Sequence, residues 1–147
     1  MATTNQDFLF RVDQIRNEQP TYRSGGAARD GTCDCIGLII GALERCGVSW
    51  KGTHGSNWAR RNAMASFFAV SSADRLEAGM LVFKGRKPGE DGYALPSRYA
   101  SHEDLTDYYH VGVVTQVAPL RITHMTTPTT RVDTGMGKWA WAGRLKT

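Results

Sequence analysis

The hydrophobic period changes partway along this chain, and that change restricts the fold more than any other feature. Up to about residue 68 the apolar residues recur every three or four positions, as one face of a helix does. From Met80 onward they fall into short β-branched, aromatic or alternating stretches. Phe8, Val12 and Ile15 predict an amphipathic helix over residues ~5 to 18, closed by Gln19-Pro20. Ile36, Ile39, Ile40 and Leu43 predict a second, with Thr32 or Asp34 as N-cap and Gly47 as a left-handed end. A third is expected from Ser56 or Asn57 to about Phe68, with Trp58, Met64, Phe67 and Phe68 facing inward. Strands are expected at Met80 to Lys84, His110 to Thr115, Leu120 to Thr126 and Lys138 to Leu145. Helices that lead and strands that follow imply an α+β fold with a mainly antiparallel sheet.

The 147 residues suit one domain, and 41% apolar with 22% charged residues is ordinary globular usage. The net charge of +4 favours an anionic partner, but the arginines are scattered and form no tail. Arg98 to Tyr109 is basic and aromatic, yet Glu103, Asp104 and Asp107 interrupt it, so nucleic acid is not the expected partner. Met1 to Phe10 carries no basic segment leading into an apolar run, and no stretch is long enough to span a bilayer. Synthesis in the cytoplasm without an export signal is the expectation. Residues 85 to 109 hold four of the five tyrosines and several Gly and Pro without a period, and are expected to form a mobile flank or lid.

Cys33, Cys35 and Cys46 cannot all pair with one another, so at least one thiol is free. Cys35 falls in the first turn of the second helix, where unpaired N–H groups and the helix dipole favour a thiolate and can support an oxyanion. Cys46 lies near the apolar face and reads as core. A cysteine nucleophile needs a histidine base and a group to orient it. His54 and His102 fall in loops without a rigid mount, whereas His110 and His124 fall on successive strands. A five-residue turn from Thr115 to Pro119 would pair His110 directly with His124 and put Gly112 on their face, where its missing side chain leaves room for the cysteine helix. Zinc on Cys33, Cys35, Cys46 and His54 is the rival, but Cys-x-Cys at a helix start sends the sulfurs apart. No cofactor or metal is therefore expected.

The segments Tyr22-Arg23-Ser24-Gly25-Gly26, Asp34-Cys35-Ile36-Gly37-Leu38, Gly79-Met80-Leu81-Val82-Phe83 and His110-Val111-Gly112, followed by His124, cover nearly the whole chain in order. Together they resemble the NlpC/p-sixty family of cell-wall cysteine peptidases, and within it the phage- or prophage-associated members. The resemblance implies a papain-like domain over residues 1–147, N-terminal helices packing on the C-terminal sheet. It implies Cys35 as nucleophile, His110 as base and His124 as orienter, with Tyr22, Asp34 and Ile36 beside the nucleophile for substrate binding or oxyanion support. Ile36 stands where the family often has serine, and Cys33 where an aromatic is usual. The implied substrate is a peptidoglycan stem peptide, commonly at a D-glutamyl-diamino acid bond. The implied place of action is the cell wall, with targeting by a phage or delivery-system partner, by the basic surface or by the active-site groove as the open alternatives. An amidase or acyltransferase using the same residues, or a catalytically idle wall-binding or phage structural module, are the alternatives.

Overall fold

The computed structural model describes residues 4–146; residues 1–3 and 147, the ends of the expected domain span, lie outside the described residues. Helix α1, Asn5–Glu18, starts where Thr4 Oγ1 accepts the N–H of Asp7 and ends where Gln19 turns left-handed at φ 50°. It buries Phe8, Val12 and Ile15, the three residues that carry the period. Helix α2, Cys35–Arg45, is capped by Asp34 and is buried from Cys35 through Leu43. Arg45 grips Glu18 with two hydrogen bonds of 2.7 Å and so clamps the ends of the two helices together.

Two short strands, β1 (Thr21–Tyr22) and β2 (Thr32–Cys33), pair in parallel and hold the glycine-rich turn against α2. The close approach depends on missing side chains. A Cβ on Gly37 would lie 1.8 Å from the Gly26 carbonyl oxygen, and one on Gly41 would lie 2.3 Å from that of Ala27. The turn backbone thus lies directly on the helix, bringing Tyr22 toward Cys35.

The third helix is shorter than its apolar spacing predicts. Helix α3 is Ser56–Asn62, and Phe68 instead begins strand β3, Phe68–Ala69. The reason is tertiary: β3 pairs with β8, Trp141–Gly143, whose edge would otherwise be open. Phe67 turns inward, edge-on to Phe83 and Tyr108.

Strands β4 (Leu81–Arg86), β5 (Asp107–Val117), β6 (Leu120–Met125) and β7 (Thr130–Asp133) complete a six-stranded sheet in the order β3-β8-β4-β5-β6-β7, antiparallel throughout. The fold is therefore α+β, as expected. Leu81, Phe83, Val111, Val113 and Met125 share a core with α1 and α2. Val82, Val114, Ile122 and Ala142 share a second core with Trp139. Alternation along β5 and β6 assigns His110, Gly112 and His124 to this second face.

The hairpin register differs from expectation. Val117 pairs with Leu120 and Gln116 with Arg121, leaving Ala118-Pro119 as a two-residue turn; a bulge at Thr115 then sets Val114 against Ile122. The bulged Thr115 hydroxyl donates to the Arg121 carbonyl at 3.2 Å. Continuing that register puts Gly112, not His110, opposite His124, and makes the two histidines diagonal neighbours on one face. Gly112 makes room for Trp139 rather than for the cysteine helix: a Cβ there would lie 3.0 Å from the indole and 3.1 Å from His124 Cβ.

The connection between β4 and β5 is tied down at several points. Tyr93 OH donates to the Leu105 carbonyl, the Ala94 N–H to Asp107, and Arg61 of α3 to the carbonyls of Asp104 and Thr106. No helix among the described residues is long and apolar enough to cross a membrane.

Candidate active site

Asp34 organises the start of α2. One carboxylate oxygen accepts the Gly37 N–H and the other the Gly25 N–H, each at 2.7 Å. His54 Nε2 lies 2.9 and 2.8 Å from the same two oxygens. Contrary to the loop reading, His54 is therefore anchored, and the partner that anchors it is the residue before the proposed nucleophile.

Cys35 is buried, with 8% of its surface exposed. Its thiol is pushed up to about 11, first by burial and then by the Asp34 charge; the N–H groups of Val111, Ile36 and Cys35 itself act in the opposite direction. The helix N-terminus does favour the thiolate, but here it loses to desolvation and an adjacent carboxylate. Tyr22 stands next to this group: its phenol is raised by burial first and then by the charges of Cys35 and Asp34. Cys33 is fully buried, donates to the Asp34 carbonyl at 3.3 Å and is pushed up to about 12 by burial. Cys46 caps the far end of α2 and is half-buried, not core. Cys46 lies eleven positions beyond Cys35, roughly 16 Å at 1.5 Å per residue, so the three thiols do not converge.

The two strand histidines do meet. His110 Nε2 lies 2.8 Å from His124 Nδ1. Trp139 lies nearly parallel to the His110 ring at 5.4 Å and edge-on to His124 at 5.2 Å. Its own N–H donates to Asp133 Oδ2 at 3.0 Å, and Asp133 Oδ1 lies 3.2 Å from His124 Nε2. Burial, aided by the charges of His124 and Lys84, holds His110 down to about 3. Burial also lowers His124, although Asp133 opposes it. Burial pushes Asp133 up, but the Trp139 N–H, the adjacent His124 ring and the Lys84 charge together leave it lowered. Both imidazoles are therefore neutral bases near pH 7.

The thiol meets strand β5 at the residue next to His110. The Val111 N–H that faces Cys35 belongs to the residue after His110. His110 uses Nε2 on His124 and keeps Nδ1 for another partner. The described contacts include no hydrogen bond between Cys35 and either ring; in unliganded sites such contacts often tighten only when substrate binds. A cavity of about 390 Å³ opens on the pair, lined by Lys84, Tyr109, His110, His124, Thr126, Arg131 and Asp133. A second, of about 370 Å³, runs past His54, Trp58, Arg86 and Arg98 and shares Tyr109 with the first.

Asp133, Trp139 and the Asp34–His54 pair escaped the sequence reading. Asp133 sits on β7, whose Thr-Arg-Val-Asp has no apolar alternation; its only sequence signal is the β-branched Thr130 and Val132 a short turn after β6. Ile36 is buried in the core by its side chain and can offer the site only its backbone N–H.

No protein-family model matches the chain, and no curated protein matches it. Solved structures do. One is a Staphylococcus aureus protein described as similar to a lipoprotein of the NLP/p-sixty family, with TM-score 0.61 and 15% identity over the whole of this chain and 44% of its own. Another is NlpC2 from Trichomonas vaginalis, with TM-score 0.62 and 14% identity over the whole of this chain and 49% of its own. The chain spans about half the length of these structures. At such identity the likeness concerns the path of the backbone, and on that ground the chain has the papain-like α+β fold of NlpC/p-sixty proteins.

Proposed function

We propose that this protein is a cysteine hydrolase that cleaves amide bonds in the stem peptides of peptidoglycan, at a D-glutamyl-diamino acid bond, and acts at the cell wall. Cys35 is the nucleophile, His110 the base through Nδ1, and His124 the residue that orients His110. The observation that carries this reading is the meeting of a helix N-terminal thiol with the strand whose His110 pairs with His124. The thiol and base begin neutral, so the proton moves to His110 as sulfur attacks the carbonyl. The thioester then forms as the amine leaves with that proton, and water completes hydrolysis. N–H groups at the start of α2 face the developing oxyanion. Tyr22, beside the thiol, and Asp34, through the turn it holds, shape the approach to it.

The test is digestion of purified peptidoglycan. New amino groups with intact glycan strands are expected from the parent and not from Cys35→Ala. New reducing ends without new amines would mean a glycosidase, which needs a pair of carboxylates instead.

A second reading, a catalytically idle wall-binding module, draws on the buried, protonated state of the thiol. Binding to walls that is equal in parent and Cys35→Ala, with no product from either, would favour it. Product from a non-wall amide or ester alone would instead mean an amidase or acyltransferase built on the same residues.

A further inference from the structure

A neutral imidazole carries one proton, on either Nδ1 or Nε2, and only its bare nitrogen can accept another. For His110 to act as a base through Nδ1, its proton must sit on Nε2. That atom lies 2.8 Å from Nδ1 of His124, which must then be the bare acceptor. His124 accordingly carries its proton on Nε2, 3.2 Å from Oδ1 of Asp133. An ionised carboxylate accepts and does not donate, so it favours this tautomer and disfavours the other.

We infer that Asp133 is a positioning residue that sets the proton positions of both histidines, and with them which nitrogen of His110 can serve as the base. Its importance for turnover rests on the cysteine-hydrolase reading above; the tautomers do not. Three features select a carboxylate at this position. His124 Nε2 is fully buried and makes no regularly aligned hydrogen bond among the described residues, so its polarity is answered by the Asp133 charge. The Trp139 N–H takes the other carboxylate oxygen at 3.0 Å, so two donors converge on a group that has only acceptors to offer. Lys84 and Arg131 face the same cluster, with Arg131 Nε 3.6 Å from Oδ1, and balance the negative charge.

An amide at this position meets two donors with one acceptor. Asp133→Asn should therefore leave either His124 or Trp139 facing an NH2 group. Removing the indole donor should release the constraint: in Asp133→Asn/Trp139→Phe the amide carbonyl is free to turn to His124.

Two-bond 15N–1H correlation spectra of histidine-labelled protein at neutral pH read the tautomers directly, without substrate. The parent should show protonated Nε2 and bare Nδ1 on both rings. Asp133→Asn should move a measurable fraction of both to protonated Nδ1 and lower kcat/KM at least tenfold, and the double variant should restore the parent pattern. A proton on Nδ1 of His124 in the parent, or an Asp133→Asn spectrum identical to the parent's, would overturn the inference. If Asp133→Asn does not fold, the parent spectrum still decides. The expected tautomers in a protein that hydrolyses no amide would remove the hydrolase reading and leave the role of Asp133 in proton placement standing.

Discussion

Replacing Asp34 should make the protein less stable and its nucleophile more reactive, two effects of opposite sign from one carboxylate. The side chain accepts the Gly37 and Gly25 N–H groups at 2.7 Å each and contacts His54, and it is only 6% exposed. Asn can still cap α2 through its carbonyl, so the cap itself changes little. Its NH2 group, however, would face the Gly25 N–H, and an unsatisfied buried donor costs about 1–3 kcal/mol. For a chain of this size that corresponds to a Tm lower by roughly 2–12 °C. Ala removes the cap as well and should cost about 1.5–5 kcal/mol in all. The Asp34 charge is also the second cause, after burial, of the raised Cys35 thiol. Without that charge the thiol pKa falls and its thiolate fraction at pH 8 rises. Calorimetry gives the first effect. Alkylation rates against pH, mapped to each cysteine by mass spectrometry, give the second. An Asp34→Asn protein that melts with the parent and alkylates at Cys35 along the same pH curve would refute both roles.

Three further outcomes follow from the geometry. His124→Ala should lower turnover less than His110→Ala, since the orienting ring does not carry the proton from sulfur; equal activity of His110→Ala and the parent would remove the mechanism. His110 is depressed from 6.5 to about 3 by burial, so its contribution to stability is present above about pH 6.5 and lost as pH falls toward 3. Melting curves from pH 7 to 4 should therefore fall more steeply for the parent than for His110→Gln, and parallel curves would contradict the burial argument. Gly41→Ala should destabilise by about 1–3 kcal/mol despite alanine's better helix propensity, because its Cβ would meet the Ala27 carbonyl oxygen at 2.3 Å, and a Tm at or above the parent's would show that the turn does not pack as described.

What could be read from the residues followed from local rules. The apolar spacing of Phe8, Val12 and Ile15, closed by Gln19-Pro20, marks α1 at its observed limits. Asp34, one of two candidate caps, is the one that starts α2. The order of helices and strands gave the α+β class, and alternation set His110 and His124 on one face. Long-range pairing decided the rest. Phe68 left its helical pattern for the open edge of β8, and a two-residue turn combined with one bulged residue, Thr115, shifted the register by two. Local spacing carries no sign of either event. Asp133 and Trp139 reach the histidines from segments whose own patterns are weak, and the raised thiol of Cys35 depends on burial, which no linear spacing reveals.

The central claim is that Cys35 forms a bond to the substrate's acyl group. Acid quenching of a digest of soluble wall peptides, followed by intact-protein and peptide mass spectrometry, tests it most directly. A thioester at Cys35 should appear with the mass of the acyl fragment, disappear on treatment with hydroxylamine, and be absent from Cys35→Ala, which should also release no new amines. Release of new amines by Cys35→Ala at the parent's rate, with no adduct on Cys35 in the parent, would contradict the account.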